Sequence, residues 1–189
     1  MNNPLVTNLV ISLGAMQVAR KLDFTDPATL LYVRIGYATS QAVALAVYFW
    51  VAAKIRAKKD LTTLKYVQPG QAMSGEPDKV VTTTVRDYDL DETSKAIRSV
   101  YMAVAMMAFM HIYMKFTQPL FIQGLMGLKN LYEAKVIQIH VLNKPAEGDL
   151  KRPFKTAPGL FGDSGPKTDK ASVDEAEKAA KQAASKKDD

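Results

Sequence analysis

Charge is missing from four stretches of this chain and crowded into the remainder. Met1–Ala19, Ile35–Ala53 and Ser99–Met114 contain no Asp, Glu, Lys or Arg, and Phe116–Leu128 is a shorter uncharged run broken by Pro119. An α-helix rises 1.5 Å per residue, so Leu5–Ala19 makes about 23 Å of helix against a hydrocarbon core of about 30 Å. That run also carries Thr7, Asn8, Ser12 and Gln17, groups that suit packing against protein or a wet cavity better than contact with lipid. It lacks the basic n-region of a signal peptide. A second helix is predicted over residues 27–59, with Asp26 as N-cap and Pro27 as its first helical residue. Its Ile35–Ala53 stretch is the strongest transmembrane candidate. Ala38, Ala42 and Ala46 form a small-residue face suited to close helix contact, and Tyr48 and Trp50 sit near one end as interfacial aromatics do. The third run, Ser99–Met114, gives about 24 Å of helix. Lys115 and Gln118-Pro119 then stop its simple extension, so residues 99–128 predict a bent span followed by a half-helix.

Lys54, Arg56, Lys58 and Lys59 follow the second run. Cytoplasmic flanks are rich in Lys and Arg, which places residues 54–98 in the cytosol. Arg20 and Lys21 argue the other way if the first run spans. Pro69-Gly70 and Glu76-Pro77-Asp78 punctuate the loop as turns. KVVTTTVRDY (residues 79–88) and KVIQIHVL (residues 135–142) are rich in β-branched residues and read as strands, which lie on the same side of the membrane if they pair. Past Asn143 the chain reads as an extended surface segment. Ser172 opens a Ser-x-x-Glu capping box before a stretch that is polar all round, a solvated helix at most.

The expected architecture is a mainly α membrane protein. It has about three short transmembrane helices, a bent half-helix and a small cytosolic hairpin-like element. The expected divisions are residues 1–59 (N-terminal membrane helices), 60–98 (cytosolic loop with strand), 99–128 (third membrane helix and half-helix), 129–162 (cytosolic segment) and 163–189 (disordered charged tail).

Composition sharpens this picture. The chain has 189 residues and no cysteine, which removes disulfides, zinc thiolates and cysteine nucleophiles. The mean hydropathy of −0.09 hides the segregation of apolar and charged residues. The formal charge is +6, while residues 163–189 hold six lysines and seven acids, so the basic excess lies wholly before them. Basic charge beside apolar runs suits anionic head groups or ribosomal RNA more than a DNA groove.

Candidate chemistry is sparse. RDYDLDE begins like a calcium loop, but Glu92 replaces the sixth-position glycine and Arg98 the twelfth-position glutamate. Asp87, Asp89, Asp91 and Glu92 therefore read as complements to a helix dipole. His111 and His140 have no metal-ligand spacing, and no phosphate loop, nucleophile triad or carboxylate pair is present, so neither enzyme activity nor a cofactor is expected. Arg34 either snorkels to head groups or lines a hydrophilic groove. Met102, Met106, Met107, Met110 and Met114 give the third helix a soft surface that can adapt to varied apolar segments. The groove candidates are Asn8, Ser12, Gln17, Arg34, Gln41, Met106, Met110 and His111. Lys54, Arg56, Lys58 and Lys59 are candidates for contact with ribosome or lipid.

Several strings are distinctive: DPATLLYVRI (26–35), KKDLTTLKYVQPGQAMSGE (58–76), TTVRDYDL (83–90), MHIYMKFTQPLF (110–121) and KPAEGDLKRPFK (144–155). They resemble one fungal family, the third component of the SRP-independent (SND) targeting pathway, first described as an inorganic phosphate transport protein. The resemblance covers nearly all of residues 1–162. It implies a multi-pass endoplasmic reticulum membrane protein that helps deliver or insert membrane proteins. It implies as partners the Sec translocon, other SND components, the ribosome, client transmembrane segments and the lipid bilayer. The alternatives are inorganic phosphate transport or transporter maturation, and a structural subunit of a membrane complex.

Overall fold

Asp26 starts the longest helix described. Its Oδ2 accepts hydrogen bonds from the Thr29 backbone N–H and the Thr29 hydroxyl, both at 2.8 Å. Pro27 follows where a missing N–H costs nothing. In the computed structural model this helix, α2, runs Pro27–Lys58 and is preceded by α1, Pro4–Lys21. The structure describes residues 4–69, 78–155, 166, 168, 172, 173, 175, 176 and 178. The turn expected at 70–77, the segment 156–165 and most of the expected charged tail lie outside them. The chain divides into two compact units, Met1–Ala53 with Glu92–Val141, and Lys54–Asp91 with Leu142–Asp189.

The first unit is helical. α3, Val85–Ala108, enters it at Glu92 and ends in a π-helical turn, Phe109–Tyr113. Lys115 then adopts a left-handed conformation (φ 62°), and the Phe116 N–H donates to the Met110 carbonyl at 3.1 Å. This elbow reverses into α4, Gln118–Glu133, with Pro119 in its first turn. α4 packs on α2 at Gly124, where an added Cβ would lie 3.5 Å from Ser40 Oγ and 3.6 Å from Tyr37 Cα. Ser40, Gln41 and Ala44 form the buried stripe of α2 here. The alanine face expected to make the close contact, Ala38, Ala42 and Ala46, is exposed instead.

Two described helices, Pro27–Lys58 and α3 with its π turn, are long and apolar enough to cross a membrane. Only 6% of the most apolar part of the latter is buried, and Met102 and Tyr113 are 72% and 78% exposed. A core helix of a water-soluble domain would hide these residues. Asn8, Gln17, Arg20 and Lys21 make α1 too polar for the same class.

The second unit holds the antiparallel hairpin of β1, Thr63–Gln68, and β2, Lys79–Thr84, with Thr63 opposite Thr84 and Gln68 opposite Lys79. Neighbouring side chains of a strand point to opposite faces, and here both faces are covered. Tyr66 meets the Tyr88 ring edge-on at 5.8 Å, and Tyr88 meets Phe154 at 5.4 Å. On the other face Val67 is buried with Val173 and Ala176, and Val80 packs beside them. The helical positions after Ser172 thus press two apolar residues on the hairpin where an all-solvated helix was expected. Beneath Tyr88, Arg152 grips Asp89 with two parallel bonds, Nε to Oδ1 and Nη2 to Oδ2, each 2.6 Å. Asp89 is 1% exposed. The Phe154 N–H donates to the Tyr88 hydroxyl at 2.7 Å.

The strand predicted over residues 79–88 stops at Thr84, because Thr84 caps α3. The Asp87 N–H donates to Thr84 Oγ1 (3.1 Å), and Thr84 Oγ1 donates to Asp87 Oδ2 (2.9 Å). The strand predicted at 135–142 is a helix, α5, Lys135–His140. Val136, Ile137 and His140 are buried, a helical stripe rather than an alternation, and the β-branched content was misleading. The partner of β2 is therefore β1, not that segment. The half-helix expected within 116–128 is longer, extending to Glu133.

Breaking the Asp89–Arg152 pair strands a buried charge, so Arg152→Ala should destabilise the hairpin unit by about 3 kcal/mol. Tyr88→Phe, which removes the acceptor of the Phe154 amide, should cost about 1–2 kcal/mol. Thermal unfolding with hydrogen exchange at the β1 and β2 amides measures both. Acid should act through two further carboxyls. Bonds from the Thr62 hydroxyl and N–H hold Asp60 below its ordinary 3.8. Arg86 and the Thr84 hydroxyl do the same for Asp87. A lowered folded-state pKa stabilises above the unfolded value, and that contribution is lost as pH falls through the folded one. Unit stability should be flat down to about pH 5 and fall below about pH 4. Asp60→Asn with Asp87→Asn should flatten the fall.

Candidate functional site

α4 forms walls of two cavities in the helical unit. The larger, about 600 Å³, opens between α1, α3 and α4. Its lining is methionine from three helices, Met16, Met107, Met110 and Met126, with Arg20 and Gln123 as polar members. Spacing explains the arrangement. Met107 and Met110 are three residues apart, as are Gln123 and Met126, so each pair shares a helix face. Thioethers on flexible stems fill irregular space and accept different shapes. Ser12 Oγ donates weakly to Met126 Sδ at 3.8 Å, fixing α1 against α4. Gln123 Oε1, in the cavity wall, is buried without a hydrogen-bond partner, and so is Asn8 Oδ1, one turn before Ser12 on α1. Buried acceptors left unpaired are costly and call for an explanation, and a polar group on an incoming ligand would satisfy that of Gln123.

The second cavity, about 490 Å³, lies between α2 and α4, with Tyr37, Ser40, Phe121 and Gly124 among its walls. Neither volume holds a transmembrane helix, which is about 30 Å long and about 10 Å across. Each can seat a few side chains of one.

Arg34 and His111 meet at the α2–elbow junction. Arg34 Nε donates to His111 Nε2 at 2.9 Å, and His111 Nδ1 lies 3.0 Å from the Phe116 carbonyl. A neutral imidazole carrying its proton on Nδ1 satisfies both contacts. The structure therefore brings Met110 to the first cavity, sets Ser12 against the cavity residue Met126, and joins Arg34 to His111 elsewhere, while Asn8 does not line the cavity. Gln41 is buried beside Gly127, 3.3 Å from where its Cβ would be, and acts in packing. Gln17 and Met106 are exposed, Met106 at 62%, and neither lines the methionine cavity. Lys54, Arg56, Lys58 and Lys59 are all exposed. Sequence reasoning missed Met16, Gln123 and Met126. Their signal was present, since α4 carries Gln and Met one turn apart in an otherwise apolar run. Among the described residues no group of three His, Asp or Glu could hold a metal ion.

The architecture defines a class, a mainly helical protein whose long helices keep apolar surface outward around a methionine-lined groove. Comparison with known proteins specifies it further. A family model described as "Phosphate transport (Pho88)" matches residues 1–184, and the chain belongs to the Pho88 family. It is 51% identical over 180 residues to SRP-independent targeting protein 3 of Saccharomyces cerevisiae, covering 94% of this chain and 95% of that protein. It is 43% identical over 178 residues to the SRP-independent targeting protein 3 homolog of Schizosaccharomyces pombe, covering 93% and 92%. No solved structure matches.

If the unpaired Gln123 oxygen is held for a ligand, it destabilises the resting protein. Gln123→Met should therefore raise thermal stability by about 1 kcal/mol, measured by unfolding in detergent. Gly124→Ala should be tolerated, since its Cβ meets atoms at 3.5 Å or more. Gly124→Leu should destabilise the α2–α4 packing by about 1–3 kcal/mol.

Proposed function

We propose that this protein is a multi-pass membrane protein of the endoplasmic reticulum that assists SRP-independent targeting and insertion of other membrane proteins. The observation that carries this reading is the methionine-lined cavity with the unpaired Gln123 oxygen in its wall, set among helices whose apolar faces point outward. The names of the two relatives support the pathway. In this reading α1 is a third, short span and α4 a re-entrant half-helix. At about 27 Å and about 24 Å, both are shorter than the hydrocarbon core. Short helices with polar groups thin the bilayer locally and lower the cost of moving a polar flank across it. The cavity offers adaptable apolar contact to successive client segments, and its Gln123 oxygen accepts bonds from their polar groups. Lys54, Arg56, Lys58 and Lys59 face the cytosol and touch anionic lipid or ribosomal RNA. The protein works beside the Sec translocon with other SND components and catalyses no reaction.

Phosphate transport is the alternative carried by the family description. A dianion path needs several donors converging near midplane, whereas Arg34 and His111 meet at helix ends. Phosphate uptake by the purified protein in liposomes would favour that alternative.

A photocrosslinker at Met107 or Met126 should capture nascent clients with internal or C-terminal spans, and one at Met102 should not. Acute depletion should impair insertion of those clients. Normal insertion after depletion counts against the proposal, and insertion defects without crosslinks favour a structural companion role.

A further inference from the structure

A third cavity, about 320 Å³, lies between the start of α2 and the elbow after α3. Arg34, His111, Lys115 and Thr117 supply its polar wall, and Leu30 and Ile112 its apolar one. Two cations share this space, and among the described residues neither Arg34 nor Lys115 has a carboxylate partner. Like charges held together without a counter-ion repel, so the arrangement favours an anion. The Arg34 head is also oriented in advance. Its Nε is bound to His111, which is held in turn by the Phe116 carbonyl, and the terminal amino groups are the donors that remain. A planar guanidinium so fixed matches the oxygens of a phosphate, with less side-chain freedom to lose on binding.

We infer that this cavity binds the phosphate of an anionic phospholipid head group. The volume is at the lower end for small-molecule sites and suits a head group rather than a whole lipid. The surroundings favour a lipid over a free ion. Ile112 in the wall is 68% exposed and its neighbour Tyr113 78% exposed, a surface on which acyl chains can lie. Arg34 stands at one end of the uncharged Ile35–Ala53 run and Lys115 just beyond Ser99–Met114, where head groups would be. The assignment to lipid rests on the membrane reading proposed above, but not on client binding.

Native mass spectrometry of the full chain in neutral detergent tests it, with phosphatidylinositol, phosphatidylcholine and inorganic phosphate as probes. Phosphatidylinositol should be retained at least about tenfold better than phosphatidylcholine. Arg34→Gln with Lys115→Gln should abolish the preference, and Lys79→Gln with Lys151→Gln, two exposed cations away from the cavity, should leave it intact. Lys115→Gln alone, at an exposed position that contributes no packing, should weaken retention severalfold and guards against misfolding of the double variant. Thermal unfolding checks each variant. Undiminished retention in the double variant would overturn the site. Binding of inorganic phosphate without preferential lipid retention would overturn the assignment to lipid. Client crosslinking from Met107 should persist in the double variant, so loss of lipid and loss of insertion activity are read separately.

Discussion

The helical unit is organised around α4, which meets α1 through Ser12 and Met126 and α2 at Gly124. At Gly124 an added Cβ would sit in ordinary van der Waals contact with Ser40 Oγ and the Tyr37 backbone, leaving room for little more. Any branched side chain there would push the helices apart. α4 turns Gly124 toward α2 and Met126 toward α1 and α3, with Gln123 in the same cavity wall as Met126. One helix thus walls both cavities, and Ser12 against Met126 completes the arrangement. Polar residues of α2, Ser40 and Gln41, are consumed in this packing, which leaves α1 and α4 to furnish polar groups to the methionine groove.

Outside the packed seam, apolar surface faces outward over the C-terminal part of α3 and much of α2. Such surface needs surroundings other than water. The elbow after α3 solves a related problem. A π turn, a left-handed lysine and a proline-initiated helix reverse the chain within a few residues, and the freed Phe116 amide and carbonyl both find partners, Met110 and His111. The reversal therefore leaves few backbone groups exposed to an apolar medium, where each would be expensive.

Much of this was legible in the residues, for identifiable reasons. Asp26-Pro27 marks the start of α2 because capping is a local interaction, and the uncharged runs locate the long helices because burial or lipid contact is encoded in composition. The hairpin was half visible. β2 carries the β-branched run, but β1 is six residues long and covered on both faces, so it has no alternation to read. Lys135–Leu142 misled because Val and Ile serve a buried helical stripe as well as a strand. Asp89 looked like one more acidic residue at a helix start, and its role depends on Arg152, 63 positions away. His111 and Arg34 were each singled out, yet their union across 77 positions is a property of the elbow that no local pattern announces.

The pairing of Asp89 with Arg152 has a consequence for the order in which the protein is made. Residues 54–91 leave the ribosome early, but a two-stranded hairpin is marginal by itself. Its ion pair and its Phe154 contact arrive only after residues 92–141, the helices of the other unit, have been synthesised. The unit that holds the hairpin therefore completes its packing last, like a clasp fastened after the intervening helices have been made. A chain stalled before Arg152 would hold its helices while the hairpin stayed open.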